Sequence, residues 1–126
     1  DHSEDVEYKR LLQAWDANTS FDFEFDSRGP NVPIDSYDAS VIKGSLTTKM
    51  KDADYLLVIV GEKTHTSKWV KWEISRAKEN DVKLRLAAVK IKSSYQLPEG
   101  LVGASVSPSF TLDGIVNALN NATNIY

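Results

Sequence analysis

The distribution of hydrophobic and polar positions predicts four β-strands, at residues 21–25, 55–60, 82–91 and 102–106. The segment Tyr55–Val60 has the clearest pattern, because its six apolar residues run without interruption and stop at Gly61. A continuous run of this kind is typical of a strand covered on both faces in a parallel sheet. In segment 21–25, by contrast, phenylalanines alternate with acidic residues, which predicts a strand with one buried face.

Four other segments have the spacing of amphipathic helices, at about 3–16, 36–51, 68–80 and from 112 onward. Each begins next to a residue whose side-chain oxygen can cap a helix N-terminus. These candidate caps are Ser3, Asp35 or Ser36, Thr66 or Ser67, and Thr111. The predicted order is therefore helix, strand, helix, strand, helix, strand, strand, helix.

This alternation favours a three-layer α/β fold with a mostly parallel sheet and helices on both faces. Such a series normally begins with a strand, whereas this chain begins at Asp1, without an initiator methionine, and enters a helical pattern directly. We expect a single domain over residues 1–126 that is incomplete at its N-terminus, with a first strand of about five residues before Asp1. The alternative is a genuine start at the helix, with a four-stranded sheet.

Composition narrows the classes of function. The 126 residues contain no cysteine, which excludes a disulfide scaffold, a thiolate metal site and a cysteine nucleophile. A net charge of −3 without a basic block argues against a nucleic-acid partner. No apolar run approaches the roughly 20 residues of a membrane helix, and no signal peptide is recognisable. We therefore expect a cytoplasmic protein with no nucleic-acid or membrane partner.

Open α/β sheets bind ligands outside the carboxyl ends of their strands. That rule selects three segments here: Asp1–Ser3, Asp26–Pro33 and Gly61–Ser67. Glycine-rich nucleotide motifs and the HExxH zinc motif are absent from the sequence. The two histidines, His2 and His65, are too few for a histidine-rich metal centre, and His65 is expected to be a surface residue of its loop.

A magnesium site of the receiver-domain type would need a pair of acidic residues after the first strand. It would also need an aspartate at the end of a later strand. The strand that ends at Val60 continues as Gly-Glu-Lys, so this aspartate is missing. We expect no metal site. A flavodoxin-like or receiver-like domain of some other function remains an alternative.

Glu73 is the most informative polar residue in the chain. It lies four residues after Trp69 and four before Ala77, so its carboxylate falls on or beside the apolar stripe of the third helix. Glutamates are seldom buried without a partner. One interpretation places Glu73 at the edge of the stripe, paired with a lysine or a backbone N–H. The other places it at the wall of a cleft, where it acts on a ligand.

Two neighbouring segments resemble the core of TIR domains. Ala53–Val60 resembles their hydrophobic strand, and Ser67–Ile74 contains W-x-x-x-E followed by an aliphatic residue. Together with Ala88–Ile91 at the end of the next strand, this run most closely resembles the bacterial TIR-like family that includes the B component of the Thoeris anti-phage system. The similarity covers nearly the whole chain.

The resemblance implies a flavodoxin-like sheet of order 2-1-3-4-5, whose central strand 1 would precede Asp1. It also implies NAD+ as substrate, with no separate cofactor, because TIR enzymes release nicotinamide and hydrolyse or cyclise the ADP-ribose. Glu73 matches the position of their catalytic glutamate. The sequence does not determine the product, the activating trigger or the oligomeric state.

Further roles follow from the resemblance by position. Asp1 and His2 would line the floor of the nucleotide pocket, and Arg28 would meet the pyrophosphate unless it is simply a solvated loop residue. Trp69 would either pack in the core or stack on a base. The alternative function is a non-catalytic TIR-like module that assembles with copies of itself through loop 26–37.

Overall fold

The computed structural model describes residues 32–124. The predicted helix at 3–16, the predicted strand at 21–25 and most of the loop 26–33 lie outside the described residues. Asp1, His2 and Arg28 lie outside them as well.

Three helices and three strands follow one another in the described part of the chain. The helices are α1 (Tyr37–Lys51), α2 (Lys68–Ala77) and α3 (Leu112–Asn120), and the strands are β1 (Tyr55–Val60), β2 (Arg85–Lys90) and β3 (Ser105–Ser107). Two short 3-10 helices, Thr64–Thr66 and Glu99–Leu101, lie in the connections. The strands form a parallel sheet of order β1-β2-β3, which confirms the predicted α/β class with a parallel sheet.

Helices cover both faces of this sheet. On one face, Leu86 and Ala88 of β2 pack in a cluster with Ile74 of α2 and with residues of α1 and β1. On the other face, the alternate residues Ala87 and Val89 pack against α3. Successive side chains of β2 thus point alternately into the apolar clusters on the two faces of the sheet. Because both faces are buried, consecutive residues of this strand are apolar.

The predicted caps are correct where the structure describes them. Ser36, Ser67 and Thr111 each accept a hydrogen bond from a backbone N–H of the first turn of α1, α2 and α3, respectively. Satisfying one of the orphan N–H groups fixes where each helix begins. The bounds of α1 and β1 also agree with the prediction.

The predicted end of α2 was wrong. The helix ends at Ala77 rather than near Asn80, because the chain turns back towards the sheet. Lys83 adopts a left-handed φ of 47° in this turn, and the N–H of Leu84 donates to the carbonyl of Ala77 at 2.9 Å. The turn delays β2, which begins at Arg85 and ends at Lys90 instead of spanning 82–91.

The third strand is displaced from its predicted position. It spans Ser105–Ser107 rather than 102–106. The 3-10 helix Glu99–Leu101 occupies the preceding segment, and Gly103 has a φ of 90° that extended backbone does not allow. Pairing with β2 therefore starts only at Ser105.

Candidate functional site

The loop after β1 places the N-terminus of α2 near the carboxyl edge of the sheet. Its first amide, at Gly61, donates to the Thr64 hydroxyl at 2.8 Å. Three residues further on, Ser67 ends the 3-10 helix and caps α2 by accepting from the N–H of Val70 at 3.2 Å. Hydrogen bonds therefore hold the connection between β1 and α2 in place, and with it the position of any functional side chain on α2.

Trp69 anchors the first turn of α2 against α1. Its side chain is 7% exposed and packs with Ala39, Ile42 and Leu46 of α1. The indole Nε1 donates to the carbonyl oxygen of Val32 at 2.7 Å. These contacts give Trp69 a packing role, while stacking on a nucleotide base stays a prediction.

Glu73 lies one turn after Trp69 and one turn before the buried Ala77. Its side chain is half-buried, and it is not left without an interaction. At about 100° per residue, its position falls between the α1-facing side of α2 and the side that enters the core. Arg76 marks the α1-facing side, since its Nε donates to the Thr47 hydroxyl at 3.3 Å. The carboxylate is thus held on a fixed helix close to the apolar core.

The opposite side of α2 faces the connection between β2 and β3. Lys78 donates from Nζ to the carbonyl of Gly100 at 2.7 Å. A Cβ added at Gly100 would lie 2.7 Å from Cγ2 of Ile74, so the 3-10 helix packs directly against α2. Lys71 lies two turns before Lys78 on this same side, and about 160° around the axis from Glu73.

A shallow depression of about 630 Å³ opens on this opposite side. Leu97 and Val102 supply its apolar surface, and its polar lining comprises His65, Lys71, Lys90, Gln96 and Glu99. Val102 is 73% exposed. The depression combines cationic groups with an uncovered apolar patch.

His65 departs from the expectation of an ordinary surface residue. Its side chain is half-buried, and the Nδ1 atom is buried without a hydrogen-bond partner among residues 32–124. A buried N–H without an acceptor is costly, so the tautomer protonated on Nε2 is favoured. Nε2 is then the ring nitrogen left to donate.

Sequence reasoning also missed Lys71 and Lys90. The signal was present as a local charge imbalance, since residues 61–102 contain nine Lys and Arg against five Asp and Glu. This segment carries a net charge of +4 within a chain of net charge −3. The folding of α2 and β2 brings two of these cations to one depression.

An ion-pair cluster fixes the end of α2 away from this depression. The guanidinium of Arg76 donates to both carboxylate oxygens of Asp81, at 2.7 and 2.8 Å, and to Glu79 at 2.8 Å. Lys51 of α1 lies 3.4 Å from Asp81. The hydrogen bonds from Arg76 hold the pKa of Asp81 well below its ordinary value of 3.8 and raise the pKa of Arg76.

Two kinds of feature are not found within the described range. No three His, Asp or Glu side chains of residues 32–124 gather as a metal site would require. No helix in that part of the chain is both long and apolar enough to cross a bilayer.

Comparison with known proteins identifies the family. The model of the Thoeris protein ThsB, TIR-like domain, matches residues 1–96. That range includes β1, α2 and the W-x-x-x-E residues Trp69 and Glu73. Curated proteins and solved structures gave no match. The match covers well over half of the 126 residues, and the chain therefore belongs to the family of TIR-like domains of the Thoeris protein ThsB.

Proposed function

We propose that this chain cleaves NAD+ at the nicotinamide–ribose bond in bacterial anti-phage defence, with Glu73 as its catalytic carboxylate. The observation that carries the proposal is the family match over residues 1–96, which spans Trp69 and Glu73 at the spacing of W-x-x-x-E. The packing of Trp69 supports it, because a buried anchor one turn earlier limits the movement of the helix that bears Glu73.

The chemistry needs little more than one placed carboxylate. When the C1′–N bond of NAD+ breaks, the electron pair leaves with the nicotinamide nitrogen, and its positive charge is neutralised. The ribose carbon acquires oxocarbenium character, which a nearby carboxylate stabilises electrostatically. Because the leaving group departs as a neutral molecule, no separate general acid is required.

The fate of the ribosyl centre defines the product. Attack by water gives ADP-ribose, and attack by a nucleophilic atom of the same ADP-ribose gives a cyclic product. In this proposal Asp1, His2 and Arg28 contact the nucleotide, with Arg28 on the pyrophosphate. Trp69 contributes by holding α2 in place, and its contact with a base belongs to the same proposal.

Chromatography of NAD+ reaction products tests the proposal directly. The intact protein, concentrated to favour assembly, is incubated with NAD+ beside its Glu73→Gln and Glu79→Gln variants. Glu79 is a matched control because it follows the same helix, and its carboxylate is 59% exposed on the ion-pair cluster. We expect nicotinamide from the wild type and Glu79→Gln, with loss of at least about a hundredfold in Glu73→Gln.

Two results would overturn this assignment. Activity that survives in Glu73→Gln excludes Glu73 as the catalytic carboxylate. No nicotinamide from any preparation, assembled or not, excludes the enzyme and leaves a non-catalytic module.

A second candidate function, homotypic assembly, is favoured by the outer face of α1. Tyr37 is 84% exposed and Val41 is 63% exposed; they lie one turn apart on the same helix face. Tyr37 is also the last residue of the loop 26–37 predicted to mediate assembly. A second copy of the chain would cover both side chains.

Sedimentation velocity tests this second function. If the face mediates assembly, Tyr37→Ser and Val41→Ser lower the oligomer fraction. Val102→Ser, which changes another strongly exposed valine outside α1, should not. Equal behaviour of Val41→Ser and Val102→Ser would rule out the α1 face.

A further inference from the structure

We propose that the depression on the far side of α2 from Glu73 binds a nucleoside phosphate at a site separate from the NAD+-cleaving site. The phosphate would lie on Lys71, Lys90 and the Nε2 of His65. The base would cover Leu97 and Val102. This proposal does not depend on Glu73 being catalytic.

The cations of the depression are available to an anion. Lys71 forms no ion pair with any of residues 32–124, although Glu99 lines the same depression. Within the described part of the chain, Lys90 donates only to the carbonyl of Ser93, at a long 3.3 Å. Unpaired ammonium groups on one depression attract a phosphate, whose several oxygens can accept from both.

The apolar part of the depression distinguishes a nucleotide from a bare anion. Val102 is 73% exposed beside the partly buried Leu97, and inorganic phosphate would leave this patch uncovered. A planar base removes such a surface from water, which adds favourable free energy. Gln96 and Glu99 border the patch and offer amide and carboxylate groups to the base edge or the ribose hydroxyls.

The size and placement of the depression also fit a small ligand. Its volume of about 630 Å³ falls within the range of small-molecule pockets, about 300–1,000 Å³. Lys90 ends β2, and His65 follows β1, so the depression lies at the carboxyl edge where α/β sheets bind ligands.

Isothermal titration calorimetry with AMP, adenosine and inorganic phosphate as separate probes tests the proposal. We expect AMP to bind more tightly than either fragment, with an affinity that falls as salt is added. Lys71→Glu and Lys90→Glu should each weaken AMP binding by about tenfold or more. Val102→Asp should weaken phosphate binding only as far as the new negative charge repels the phosphate. It should weaken AMP binding further, because the base also loses its apolar contact. Lys49→Glu is the matched control, because it makes the same charge change on an exposed position of α1.

Glu73→Gln separates this site from the catalytic one. It should bind AMP like the wild type, whether or not it cleaves NAD+. The proposal is overturned if AMP does not bind, if phosphate alone binds as tightly as AMP, or if Lys71→Glu and Lys90→Glu behave like Lys49→Glu. It is also overturned if Glu73→Gln removes AMP binding, which would place AMP at Glu73. Circular dichroism of each variant confirms that it is folded.

Discussion

The indole Nε1 of Trp69 donates to the carbonyl oxygen of Val32 at 2.7 Å, across 37 residues of sequence. The bond ties the first turn of α2 to the chain that enters α1. Because the tryptophan ring is also buried between the two helices, apolar packing and a polar contact act on the same side chain.

Trp69→Phe should therefore destabilise the domain by more than the loss of ring volume alone. The replacement keeps an aromatic ring but leaves the Val32 carbonyl without its donor, and we expect a loss of about 1–2 kcal/mol. Urea denaturation followed by circular dichroism measures it. Trp72→Phe is the control, because Trp72 packs edge-on against Trp69, and no hydrogen bond from its indole is found within residues 32–124. Equal losses in the two variants would contradict a role for the bond to Val32.

Two glycines should respond in opposite ways to alanine. At Gly100 the new Cβ would lie 2.7 Å from Ile74 Cγ2, inside a close contact between the 3-10 helix and α2. We expect a destabilisation of about 1–3 kcal/mol from overpacking. Gly44 lies within α1, and apart from the helix's own neighbouring backbone no atom of residues 32–124 lies within 4 Å of an added Cβ, so alanine there should stabilise by about 0.5–1 kcal/mol. Thermal denaturation of both variants is the measurement, and shifts of the same sign would contradict the argument.

The fold class could be predicted because β1 and β2 are apolar on both faces. A strand that helices bury on both sides has consecutive apolar residues, and this pattern is visible in the sequence. The place of Glu73 beside Trp69 and Ala77 also follows from helical spacing. The end of α2 could not be predicted. It depends on the turn in which Lys83 adopts a left-handed φ and the N–H of Leu84 donates to the carbonyl of Ala77, and this contact forms only when the chain turns back to the sheet. The depression was missed because Lys71 and Lys90 lie on different elements, and no local pattern links them.

The Arg76–Asp81 pair should make stability fall in acid. Its hydrogen bonds lower the pKa of Asp81 in the folded state below the ordinary 3.8, so folding favours the ionised carboxylate. This contribution is fully present above the ordinary pKa and is lost as the pH falls below 3.8 towards the folded-state pKa.

Asp81→Asn tests the effect by urea denaturation at pH 6 and at pH 3. The variant should be less stable than the wild type at pH 6, and the difference should shrink at pH 3. High salt should reduce the difference too, because the Asp81 side chain is 48% exposed. Asp54→Asn is the control, since Asp54 forms no ion pair with any of residues 32–124. A difference for Asp81→Asn that is independent of pH would show that ionisation of Asp81 does not contribute.

Ser67 determines where α2 begins, and so where Glu73 lies along the sheet edge. Its hydroxyl accepts from the N–H of Val70 at 3.2 Å, which satisfies one of the amides that a helix leaves unpaired at its start. Ser67→Ala should lower the free energy of unfolding by about 1 kcal/mol, and Ser67→Asp should retain most of the stability because aspartate also caps helices well. Ser75→Ala makes the same change at an exposed position inside α2 and should be neutral or slightly stabilising, since alanine is the better helix former. Chemical denaturation of the three variants decides the matter: if Ser67→Ala and Ser75→Ala were equally stable, the cap would not be what fixes the start of α2.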